Sequence, residues 1–184
     1  MAPLSTVLLL ISTVPIASPV GARRPITLVY DFEGQQAEEG VLRAFQAELA
    51  ETWKASRFQF EWRNYQSLSA GEMFSDLVGV HFVGDCRASV PKPVNDDEPA
   101  TRALAYTVVD GRIQPFGKVF CDEVQRMIFP AEGSIFGRAL GRVLSHEMYH
   151  ILNQTKHHSK TGLAQRALWS AQLIAPEFRF SSFH

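Results

Sequence analysis

The residues best suited to chemistry in this chain are His146-Glu147-Met148-Tyr149-His150. On a helix, histidines four residues apart project from one face about a turn apart, so two imidazole nitrogens can reach one zinc ion. Glu147 then stands on the rim of that face, where its carboxylate can take a proton from an attacking water without ligating the ion. The bland alternative is a pair of surface or core-satisfied histidines on an ordinary helix. The helical setting that the motif requires weighs against it. Ser134 is placed to cap the start. Phe136, Leu140, Val143 or Leu144, Glu147 and Ile151 keep a helical period. Gly137 and Gly141, one turn apart, cost helix propensity but let another backbone come close.

A zinc hydrolase site needs a third protein ligand. After His150 the only acidic residue is Glu177, in Ala-Pro-Glu-Phe, with no helical pattern around it. Asn153 offers another route. Asn tolerates the left-handed C-cap conformation, so the helix is expected to end there. The chain can then return at once with His157 and His158, and either satisfies three-histidine coordination.

The run His146-Glu147-x-x-His150-Ile-Leu-Asn153, followed by His157-His158-Ser159-x-x-Gly162-Leu163, resembles the metzincin-like zinc proteases. It is most similar to small secreted bacterial proteins carrying His-Glu-x-x-His, a short turn and His-Ser-x-x-Gly-Ile-Met. The resemblance is specific from about Arg138 to Leu168 and loose upstream. It implies that His158 is the third ligand, because Ser159, Gly162 and Leu163 follow it in the family's spacing, with His157 as the alternative. It also implies an extended peptide bound along a sheet edge above the zinc, for which the segment Ala105 to Cys121 is the candidate. The chain departs from the family in three ways. Asn153 replaces a Gly, the third His comes seven or eight residues after the second rather than six, and no Met follows Met148. The methionine that usually underlies the zinc falls near Ala164, and no later Tyr is present to hold an oxyanion.

These residues need a scaffold, and the rest of the sequence describes one. Ile26 to Tyr30 reads as a first strand, punctuated by Glu33-Gly34. Val41, Leu42, Phe45, Leu49 and Trp53 mark an amphipathic helix over about 36–55. Phe58, Phe60 and Trp62 alternate with polar residues, as in a half-buried strand. Leu77 to Val83 is nearly all apolar, as in a central strand, and His81 within it is expected to be packed in the core. Arg87 to Thr101 is a Pro-rich, acidic, solvated loop. Ala105 to Val109, Asp110-Gly111 and Arg112-Ile113 form a hairpin, with Val119 to Cys121 as a further short strand. Trp169 and Phe178, Phe180 and Phe183 are expected to pack on the core. The layout is α+β: a mixed sheet packed with a long N-terminal helix and the His-Glu-x-x-His helix.

Composition fits one domain over residues 23–184. The chain has 184 residues, 46% of them hydrophobic and 20% charged, and a net charge of -1. Disorder is disfavoured, and without a basic field nucleic acid is not expected as a partner. Leu4 to Ile16 is apolar but short for a membrane span, and Val20-Gly21-Ala22 suits a signal peptidase. Residues 1–22 therefore read as a signal peptide, with export to the periplasm or beyond and no stable membrane span once it is cleaved. No propeptide is expected between Arg23 and the first strand. In that compartment Cys86 and Cys121 are expected to form a disulfide. The expected protein is a monomeric secreted zinc metalloendopeptidase acting on peptides or proteins. The competing readings are a non-catalytic zinc- or protein-binding module on the same fold, and a zinc hydrolase with another substrate.

Overall fold

The computed structural model describes residues 23–33, 37–88 and 103–181. The proposed signal peptide, most of the acidic loop and Phe183 lie outside these residues.

The first strand, β1 (Arg24–Phe32), leads into helix α1 (Glu39–Thr52), and β2 (Phe58–Asn64) returns alongside β1. A single 3-10 turn, Tyr65–Ser67, follows. After it come β3 (Leu77–Val83), β4 (Ala105–Asp110) and β5 (Arg112–Phe120). The five strands form one sheet in the order β2-β1-β3-β5-β4. All neighbours are parallel except β4 and β5, so the sheet is mixed and β4 is its antiparallel edge. Three helices follow: α2 (Cys121–Ile128), α3 (Ser134–Asn153) and α4 (Ser170–Ile174). The fold is α+β.

Strand alternation decides which face is covered. Ile26, Leu28 and Tyr30 of β1 and Val78, Val80 and Phe82 of β3 are buried in a common core. Val41, Phe45 and Leu49 of α1 recur every four residues and join it, with Phe45 edge-on to both Trp62 and Phe82. The same alternation turns His81 away from the core. Its ring lies in the half-exposed layer of the opposite face, 3.5 Å from both Asp31 and Glu33, so it is not the packed core histidine the apolar run suggests.

Helix α3 lies across α1, and two glycines set how closely. A Cβ on Gly137 would come within 2.3 Å of the Val41 carbonyl oxygen, and one on Gly141 within 2.9 Å of the Phe45 carbonyl oxygen. The glycine pair therefore allows backbone-to-backbone contact, as its spacing predicts.

The hairpin is present, with Gly111 at its tip in the left-handed region. Two boundaries differ from expectation. Val119 and Phe120 end β5 instead of forming a separate strand, and Cys121 begins α2, a short helix with no long apolar period to announce it. Ser134 is the first residue of α3 and makes no capping bond; the cap position belongs to Gly133, at φ 57°. Trp169 is 67% exposed rather than packed, whereas Phe180 lies 5.1 Å from Trp53 and 5.8 Å from Tyr149, ring to ring. Cys86 and Cys121 form a disulfide that ties the segment after β3 to the head of α2. Among the described residues, no helix is long and apolar enough to cross a membrane.

Candidate metal centre

Helix α3 presents His146, Glu147 and His150 on the side facing β4 and β5, and all three are buried. The left-handed cap falls one residue later than expected: α3 ends at Asn153 and Gln154 takes that conformation, φ 49° and ψ 41°. Asn153 instead stays helical and donates its side-chain amide to the Tyr149 carbonyl. The chain reverses there, and the Thr155 backbone N–H returns to the His150 carbonyl. A small loop closed by Ser159 N–H to Ala164 O at 2.9 Å follows directly, and His158 stands at its entrance.

That reversal brings His158 over the helix. Its ring stacks on His146 at 5.3 Å and meets His150 edge-on at 4.7 Å. One nitrogen from each of His146, His150 and His158 lies within 4.8 Å of the other two, a set that could hold a metal ion. His157 and Glu177 are exposed and lie outside the set.

The protonation pattern tests whether these rings suit a metal. His146 Nδ1 lies 2.9 Å from the Leu163 carbonyl and His150 Nδ1 lies 2.7 Å from the Thr155 carbonyl. A carbonyl oxygen only accepts, so each Nδ1 must carry the hydrogen. Both Nε2 atoms are then bare lone pairs in the neutral rings, yet they face each other at 3.2 Å. Two lone pairs repel at that distance unless a proton or a metal ion stands between them. Two imidazole nitrogens on one tetrahedral zinc are about 3.3 Å apart, which matches. Backbone carbonyls gripping the far side of ligating rings are the usual outer shell of such sites.

Electrostatics point the same way. Burial holds His146 below the ordinary imidazole pKa. Burial also lowers His158, helped by the nearby His150 and His146. Both shifts favour the neutral, ligating form. Burial pushes the Glu147 carboxyl up, opposed by its hydrogen bond from Thr107.

Thr107 is a site residue that the linear motif does not reveal. It lies on β4 and its Oγ1 donates to Glu147 Oε2 at 2.7 Å. A threonine in a strand is unremarked until the strand is known to border a helix. Leu163 and Ala164 are buried in the loop after His158, and Leu163 serves the site through its backbone.

A second polar group braces this arrangement from behind. Arg142 is fully buried, and its Nε donates to Glu48 Oε1 of α1 at 2.8 Å. Arg179 donates to the same oxygen at 2.7 Å. Arg142 also reaches the carbonyls of Gln172, Leu173 and Pro176, and Arg138 those of Ile174 and Ala175. The cluster clamps the C-terminal segment, and Leu163 N–H bonds the Arg179 carbonyl at 3.0 Å. A continuous path thus runs from Glu48 through Arg179 and Leu163 to the His146 ring. An arginine amid Leu140, Val143 and Leu144 was the sequence signal for it.

The three histidines and Glu147 open into a cleft of about 510 Å³ bordered by Ala105, Tyr106 and Thr107 of β4. Among the described residues the outer edge of β4 has no strand partner, and a register shift lies between Thr107 and Val109. The molecule is thus defined as a mixed-sheet α+β protein in which two buried histidines and an exposed third, His158, cluster beside a buried carboxylate. No family model matches the chain, and neither the curated proteins nor the solved structures contain a significant match.

Proposed function

We propose that this protein is a secreted zinc-dependent metallopeptidase of metzincin-like type. The observation that carries the reading is the pair of bare Nε2 atoms 3.2 Å apart, with His158 closing over them. His146, His150 and His158 would hold the ion, leaving room for a water and a substrate oxygen. Once bound, zinc would supply Lewis acidity, polarising a carbonyl and acidifying a water.

The chain's own residues do the rest. Glu147 accepts the proton of the attacking water and passes it to the leaving amine. Its raised pKa suits both halves of that exchange, and Thr107 fixes which way the carboxylate points. The free edge of β4 offers backbone N–H and C=O groups to a peptide in extended form, beside the histidines. The disulfide agrees with an oxidising compartment, as the N-terminal signal pattern also implies.

The test is metal content of the purified protein, wild type beside His158→Ala and His157→Ala, followed by a peptidase screen with Glu147→Ala as control. About one zinc per chain, lost with His158→Ala and kept with His157→Ala, together with Glu147-dependent cleavage, is expected. Zinc bound without cleavage would leave a binding module. No zinc after reconstitution would end the enzyme reading.

A further inference from the structure

The cleft is apolar along its walls and cationic at one end. Leu104, Ile113, Val143 and Leu168 line it, and apart from Glu147 and the histidines its charged lining residues among those described are Lys156 and Arg166. Both cations come from the segment that delivers His158. Lys156 precedes it by two residues, and Arg166 follows Gln165, which bridges to Ser159 beside His158. Both are exposed.

Arginines elsewhere in the fold are mostly committed: Arg24 to Asp76, Arg63 to Glu72, Arg87 to Asp85, and Arg142 to Glu48. Arg166 and Lys156 have no carboxylate partner among the described residues, although they face a cavity. Among the described residues Glu147 is the one carboxylate lining that cavity, and it is already held by Thr107. Two cations lining a mostly apolar cleft form a receptor for an anion, and a guanidinium suits a carboxylate in particular.

We propose that Lys156 and Arg166 form a carboxylate-recognition subsite, so that the cleft selects peptides with an acidic group beside an apolar segment. The group is an Asp or Glu side chain or a free C-terminal carboxylate, which present the same chemistry. The proposal rests on the peptidase reading, and binding separates the two. Zinc-loaded Glu147→Gln protein would be titrated with fluorescent Leu- and Ala-rich peptides of three kinds. One carries a single Glu and an amidated C-terminus, the second its Gln isostere, and the third no acidic side chain but a free C-terminus.

A charge-assisted contact predicts that the favoured acid binds about 10- to 100-fold tighter than the amidated Gln peptide. The preference is expected to weaken with salt and to disappear in Arg166→Gln and Lys156→Gln versions with unchanged zinc content. Tighter binding of the first peptide assigns an internal acid, and of the third a chain terminus. Equal binding of all three, or no binding, overturns the subsite whether or not wild type cleaves peptides. A preference that persists in both Gln variants overturns it equally. Acid preference in binding without cleavage by the wild type keeps the subsite and removes the peptidase.

Discussion

Replacing Glu48 with Leu should destabilise the protein far more than one side chain on an ordinary helix would. The carboxylate is the only acidic partner described for Arg142, which is fully buried, and it also receives Arg179. Removing one member of a buried ion pair typically costs about 3–5 kcal/mol, because the remaining charge is left uncompensated. Two features place this case at the lower end. Arg142 keeps its bonds to the Gln172 carbonyl at 2.6 Å and the Leu173 carbonyl at 3.3 Å, and Arg179 is one-third exposed and can turn to water. The expected loss is therefore about 3 kcal/mol, or a fall of roughly 6–12 °C in Tm for a chain of this size. Urea unfolding of the zinc-free protein, followed by tryptophan fluorescence, would read it as a lower midpoint at unchanged slope. The double variant Glu48→Leu with Arg142→Met should recover a substantial part, since an apolar replacement of both partners removes the stranded charge. A loss under about 1 kcal/mol, or a double variant worse than the single one, would refute the account of the cluster as a mutually dependent clamp.

Other outcomes follow from the same geometry. Thr107→Val should leave zinc content intact and lower kcat by about tenfold, because Glu147 loses the bond that aims it; unchanged kcat would remove Thr107 from the site. In zinc-free protein, Glu147→Gln should be more stable than wild type at neutral pH. The folded-state pKa of Glu147 is raised, so its stabilising contribution is complete below the unfolded value near 4.5 and is lost as pH rises through the folded pKa. The stability difference should therefore close on acidification towards pH 4.5, and a difference that widens instead would reverse the assignment. Replacing Cys86 and Cys121 by Ala frees a loop of sequence separation 35 and should cost about 3–4 kcal/mol in denaturant unfolding.

The motif was readable because helical spacing alone puts His146, Glu147 and His150 on one side, whatever surrounds the helix. The amphipathic period of Val41, Phe45 and Leu49, and the alternation in Phe58 to Arg63, likewise reflect local geometry and hold in the structure. The choice between His157 and His158 was different. Adjacent residues diverge according to the turn before them, and that turn is set by Gln154 rather than Asn153. His81 was misjudged because apolar content does not say which face of a strand is covered. Thr107 and Glu48 were hidden for a related reason: their partners lie 40 and 94 residues away, at Glu147 and Arg142. Helix α2 is short, and much of its length is charged or polar, so it carries little periodic signal.

The path from Glu48 to His146 also imposes a timetable. Glu48 lies 131 residues ahead of Arg179, and the carbonyl that orients His146 belongs to a segment anchored by that late residue. As the chain emerges in order, α3 can carry its histidines long before anything holds their rings in place. The three-histidine cluster is thus among the last features to mature, and any ion it holds must wait until residues near 180 have docked. A nascent or clipped chain would carry the whole motif with its rings unanchored.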